Sequence, residues 1–72
     1  MNLYLVTRKE DAAPGEYESM VVAAPTPSRA LETCQEQAGA TGGREGFIRG
    51  AARVTSIGVG KGPVRVIHSH VI

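Results

Sequence analysis

At 72 residues the chain has room for one domain, and a domain this small needs a disulfide, a metal or a second subunit to supplement its core. Its single cysteine, Cys34, excludes an intramolecular disulfide and fits a reducing compartment. Eight Lys and Arg against seven Asp and Glu leave a formal charge of +1, far from the strong basic field of a dedicated nucleic-acid binder.

Asn2 to Arg8 is apolar, aromatic and β-branched and is bounded by a polar run, so it reads as a strand with Leu3, Leu5 and Thr7 on one face. Before it there is no basic leader and no apolar run of signal-peptide or membrane-spanning length, which places the expected protein in the cytoplasm with no membrane partner. Lys9 to Glu16, with its Pro14-Gly15 pair, reads as an exposed hairpin loop, and Tyr17 to Ala24 as a second strand. Pro25 ends that strand. Thr26 followed by Pro27 has the form of a helix cap with proline at the first helical position. The helix then carries Ala30, Leu31, Cys34 and Ala38 on one stripe and stops at Gly39.

Residues 40–50 form a glycine-rich loop whose Phe47-Ile48 pair is expected to anchor it on the core. A third strand is predicted from Arg53 to Ile57, a turn over Gly58 to Pro63, and a fourth strand from Val64 to about Val71. The fold class that follows is α+β: a single two-layer ββαββ domain, one helix packed on a four-stranded, antiparallel-rich sheet. The expected core is Leu3, Leu5, Met20, Val22, Leu31, Ile48, Val54, Ile57, Val64 and Val66. Only 4% of the chain is aromatic. With a core that poor and no disulfide, association into a homodimer is the expected supplement, and the apolar last strand is its natural seam.

Nothing in the sequence assembles a catalytic site, a metal site or a cofactor motif. His68 and His70 share a strand face but lack the further ligands zinc requires, and Cys34 on the apolar helix stripe reads as packing rather than as a nucleophile. Gly58, Gly60 and Gly62 around Lys61 are followed by Pro63 and a strand, unlike a phosphate loop that opens a helix. Charge, however, is segregated. Glu10, Asp11, Glu16 and Glu18 cluster early, while Arg44, Arg49, Arg53, Lys61 and Arg65 fall late against Glu45 alone. The candidate binding residues are therefore Thr7, Arg8 and Tyr17 at the facing ends of the first hairpin, with Arg44, Arg49 and Arg53. Arginine offers a fork for carboxylate or phosphate, and tyrosine stacks or hydrogen-bonds at interfaces. The plainer account of Arg8 is an ion pair with Glu16 or Glu18 that ties down the hairpin end.

Leu3-Tyr4-Leu5-Val6-Thr7-Arg8, Glu16-Tyr17-Glu18, Val21-Val22-Ala23-Ala24, Ile57-Gly58 and Val66-Ile67-His68-Ser69 together resemble a set of short uncharacterised phage and prophage proteins. The shared pattern is a first strand ending in Thr-Arg, an acidic stretch around tyrosines, a Val-Val-x-Ala strand, a Ser- or Thr-capped helix, and closing Ile-Gly and Val-Leu-Ser segments. This chain departs from it in a shorter acidic stretch, the glycine-rich segment 39–50 and the His68-Ser69-His70 ending. The resemblance implies an accessory protein acting in the host cytoplasm by binding and disabling a host component, and it transfers no known activity. The leading expectation is a non-enzymatic, anti-CRISPR-like inhibitor that binds a host defence protein complex. It would use either its early acids to mimic nucleic-acid charge or its later arginines to meet an acidic surface. The alternative is an oligomeric sponge for a nucleotide immune signal, with arginines on phosphates and Tyr4 or Tyr17 against the base. A DNA-associated phage regulator is a further alternative, weakened because the helix sets Arg29 against Glu32 and Glu36.

Overall fold

The computed structural model describes residues 1–39, 43–48 and 50–71. Strand β1 (Asn2–Arg8) and strand β2 (Tyr17–Ala24) form a hairpin, helix α1 (Pro27–Gly39) and a single-turn 3₁₀ helix (Arg44–Phe47) follow, and β3 (Ala52–Val59) and β4 (Arg65–Val71) complete the described elements. The hairpin is the middle of the sheet. The strand order is β3-β1-β2-β4 with antiparallel neighbours throughout, so the last two strands pair on opposite sides of the first two. This is the expected α+β arrangement of one helix on a four-stranded sheet.

Local sequence accounts for the breaks between elements. In the β1–β2 loop the Glu16 N–H donates to the Ala13 carbonyl at 3.0 Å, and Gly15 takes a φ of 86°, a left-handed conformation that glycine adopts without cost. At the start of α1 the Arg29 N–H donates to Thr26 Oγ1 at 3.2 Å and the Ala30 N–H to the Thr26 carbonyl at 3.1 Å. The second of these is the first regular bond of the helix, and Thr26 Oγ1 satisfies a donor that the first turn leaves open, while Pro27, which has none, stands where none is needed.

The core lies between the sheet and α1. Tyr4 and Val6 from β1, Met20, Val22 and Ala24 from β2, and Tyr17 pack with Ala30, Cys34 and Ala38 of the helix and with Phe47. The helix stripe is made of small residues, so the large side chains of the sheet and of the 3₁₀ turn fill the layer between them. Both buried phenols are satisfied: Asn2 Nδ2 donates to Tyr4 Oη at 3.1 Å and Gln37 Nε2 to Tyr17 Oη at 2.9 Å.

Several core expectations are corrected here. Leu3, Leu5 and Thr7 do share a face, but it is the face away from the helix, because Tyr4 and Val6 are the β1 residues buried beneath α1. Phe47 anchors the connection with no exposed surface, whereas Ile48 is 44% exposed. The 3₁₀ turn ends at Phe47, and Ile48 is already extended backbone with φ −67° and ψ 146°, so the two side chains diverge. Ile57 falls at a register irregularity of edge strand β3 and is half exposed. Leu31 is only partly buried against the core, and Thr33 rather than Leu31 completes the buried helix stripe.

Candidate binding face

Strand alternation and register assign a second, uncovered face to the sheet. Three cross-strand rows follow from the pairing: Arg53–Thr7–Ser19–His70, Thr55–Leu5–Val21–His68 and Gly58–Leu3–Ala23–Arg65. With strands about 4.8 Å apart, each row spans roughly 14 Å. The middle of the face is apolar, its upper row hydroxylic, and each margin carries one arginine, Arg53 on β3 and Arg65 on β4, the latter on the same strand as His68 and His70. No carboxylate occupies any of these register positions.

The last row is closed by the β3–β4 turn. The Gly60 N–H donates to the Met1 carbonyl at 2.7 Å, and a Cβ built on Gly60 would lie 2.6 Å from a Leu3 methyl, so any larger residue there would have to displace the Leu3 side chain. Arg65 is also committed to this turn, since one guanidinium nitrogen donates to the carbonyls of Lys61 and Pro63 at 2.7 and 3.0 Å.

The upper row opens into a concavity of about 460 Å³ lined by Leu5, Thr7, Arg8, Lys9, Arg53 and Thr55. Alternation explains the lining. Leu5, Thr7 and Lys9 are every second residue of β1 and its continuation, where the Lys9 N–H still pairs with the Ala51 carbonyl at 3.1 Å. Arg53 and Thr55 are the partners of Thr7 and Leu5 on β3. Among the described residues neither Lys9 nor Arg53 forms an ion pair, so both charges remain available.

Arg8 points the other way. Its side chain is 8% exposed, it donates to Glu16 Oε1 at 3.1 Å, and it packs under the 3₁₀ turn so tightly that a Cβ on Gly46 would collide with its Nε. That Nε is buried without a partner. The Glu16 carboxyl is held below its ordinary value first by the Ala13 backbone N–H at 2.9 Å and then by Arg8. The ion pair expected between Arg8 and Glu16 is therefore present, as a packed strut beneath the turn rather than as an exposed fork for a ligand.

Of the six candidate residues, Thr7 and Arg53 come together on the open face. Tyr17 does not join them, because its ring is buried under α1, and Tyr4 is buried likewise, which withdraws both rings from stacking on a base. Arg44 is exposed on the 3₁₀ turn, away from the open face. Arg49 lies outside the described residues. Sequence reasoning missed Lys9, Thr55 and Ser19 as members of the face, although the two-residue alternation from Thr7 to Lys9 was readable. The pairing of Arg53 with Thr7 was not, since it depends on β3 returning beside β1.

Cys34 is fully buried, and burial pushes its thiol up to about 12. It stays protonated at neutral pH and packs as a small hydrophobe. His68 and His70 lie on the open face beside Val21 and Ser19, and among the described residues no three His, Cys, Asp or Glu side chains gather as a metal site. Among the described residues no helix is long and apolar enough to cross a membrane. Compared with protein-family profiles, curated proteins and solved structures, the chain matches none.

Proposed function

We propose that this chain is a non-catalytic phage accessory protein that neutralises a host defence factor, docking the open face of its sheet on an acidic patch of a host protein complex. The observation that carries the reading is the composition of that face: Arg53, Arg65, His68 and His70 at its margins, Leu3, Leu5 and Val21 in its middle, and no carboxylate at any register position. An apolar centre with a basic rim fits a protein surface of opposite sign better than it fits solvent. Of the two charge mechanisms, the basic one is favoured, because Glu16 is already engaged by Arg8 and Ala13. The protein acts in the host cytoplasm as a homodimer. The half-exposed Ile67 and Val71 on edge strand β4 support that seam.

Reversing Arg44, Arg49 and Arg53 together would not test this reading, since Arg44 and Arg53 lie on different surfaces. The discriminating variant is Arg53→Glu with His70→Glu, two exposed positions at opposite ends of one row, where surface changes cost about 0.5 kcal/mol or less each. Its expected behaviour is loss of the captured host protein and of protection against the defence system, with unchanged melting. Arg44→Glu should keep both. Capture that survives the double reversal and is indifferent to salt would overturn the docking face.

A second reading, an oligomeric sponge for a nucleotide signal, is favoured by one observation, the concavity between β1 and β3 with Lys9 and Arg53, which form no ion pair among the described residues. Its expected stacking rings are absent from the surface, so any base would rest on Leu5.

A further inference from the structure

We infer that the concavity between β1 and β3 is a binding site for a phosphate ester carrying an apolar or aromatic body, with Lys9 and Arg53 on the phosphate and Leu5 beneath the body. The inference deepens the second reading above and does not depend on the docking of a host protein.

The argument starts from what the lining offers. Five of its residues, Leu5, Thr7, Lys9, Arg53 and Thr55, belong to one face of two paired strands, so their side chains emerge side by side on a rigid base. Two are cations that form no ion pair among the described residues, and two are hydroxyls able to donate. Arg8 contributes to the wall, but its guanidinium is held by Glu16 beneath the 3₁₀ turn and adds little net charge. An anion here meets a fork from Arg53, a point charge from Lys9 and donors from Thr7 and Thr55, the donor set that phosphate oxygens require.

Size and polarity narrow the ligand. A volume of about 460 Å³ falls within the range of about 300–1,000 Å³ typical of small-molecule sites and exceeds what a bare phosphate fills. The remaining contact is Leu5, half-buried and apolar, which is a surface for the organic part of an ester and offers nothing to inorganic phosphate. The carboxylates Glu10 and Glu45 line a neighbouring hollow behind Lys9 and do not enter this one.

Isothermal titration of the full chain tests the site with adenosine monophosphate, a cyclic dinucleotide and inorganic phosphate at low and moderate salt. The expected result is binding of at least one ester, about tenfold or more tighter than inorganic phosphate, and weakened about tenfold or more by Arg53→Gln and by Lys9→Gln. Arg65→Gln, a cation removed from the same face but outside the concavity, should leave the affinity within about twofold. Absence of heat with both esters overturns the inference, as does inorganic phosphate binding as tightly as the esters. So does a loss in Arg65→Gln equal to that in Arg53→Gln, which would mean general charge attraction. Protein docking is read separately by capture, and Lys9→Gln lies outside the rows proposed to dock, so each proposal fails by its own measurement.

Discussion

Arg8 shows how a pairing can be legible in the sequence while the burial of the same side chain is not. Its pairing with Glu16 follows from a short hairpin that returns the chain after eight residues. Its burial does not, because the 3₁₀ turn that covers it arrives from 38 residues further on, with Gly46 supplying the missing Cβ that lets the guanidinium pass. The pair has a pH signature. Glu16 titrates below its ordinary value of 4.5 in the folded chain, so its contribution to stability is complete above that value and is lost as pH falls through the lower, folded one. Thermal melts between neutral pH and the acid limb are expected to show this loss below about 4.5, and Glu16→Gln should flatten that part of the curve. A Glu16→Gln profile identical in shape to the wild type would mean the carboxylate contributes nothing.

Among the elements, the helix and the 3₁₀ turn work as one cover. Gln35 Nε2 donates to the Phe47 carbonyl at 2.8 Å, fastening the turn to α1, and Phe47 fills the space left by the small stripe Ala30, Cys34 and Ala38. Truncating it empties the largest fully buried position among the described residues. Phe47→Ala should cost about 3–5 kcal/mol, a large share of what so small a domain holds, and leave it unfolded or molten by near-ultraviolet dichroism and denaturant titration. The neighbouring Ile48→Ala, at an exposed position, should stay within about 0.5 kcal/mol of the parent. Similar losses at both positions would contradict the divergence of the two side chains.

For the molecule as a whole, the consequence of the strand order is two exposed edges, β3 and β4, which carry four half-exposed or exposed apolar residues: Ile57, Val59, Ile67 and Val71. Unpaired edges with apolar side chains are templates for pairing with another strand. A homodimer joined along β4 would extend the sheet and keep the open face continuous across a two-fold axis. Light scattering at micromolar concentration is expected to give twice 7.6 kDa, with a melting temperature that rises with concentration. Replacing Ile67 by Lys should return the mass to that of one chain. A monomer at every concentration would remove self-association from the proposal.

Much of the fold was legible along the chain. β2, the Thr26 cap, the stop at Gly39 and the order of strands and helix depend on neighbouring residues, and so they follow from alternation, capping and breakers in the sequence itself. Alternation also grouped Leu3 with Leu5 and Thr7. It could not say which face the helix would cover, because a period of two divides a strand into two sets without naming the inner one. That choice was made by packing: a helix stripe of small residues accepts Tyr4, Tyr17, Met20 and Phe47, and leaves the leucines of β1 outside. The candidate site was divided in the same way. Thr7 and Arg53 were identified as residues, but their meeting across β1 and β3, with Lys9 and Thr55 beside them, is a contact between segments more than forty positions apart in the chain. Local sequence determines what each strand offers on each side, and only the order in which the strands pair decides which of those offers share a surface.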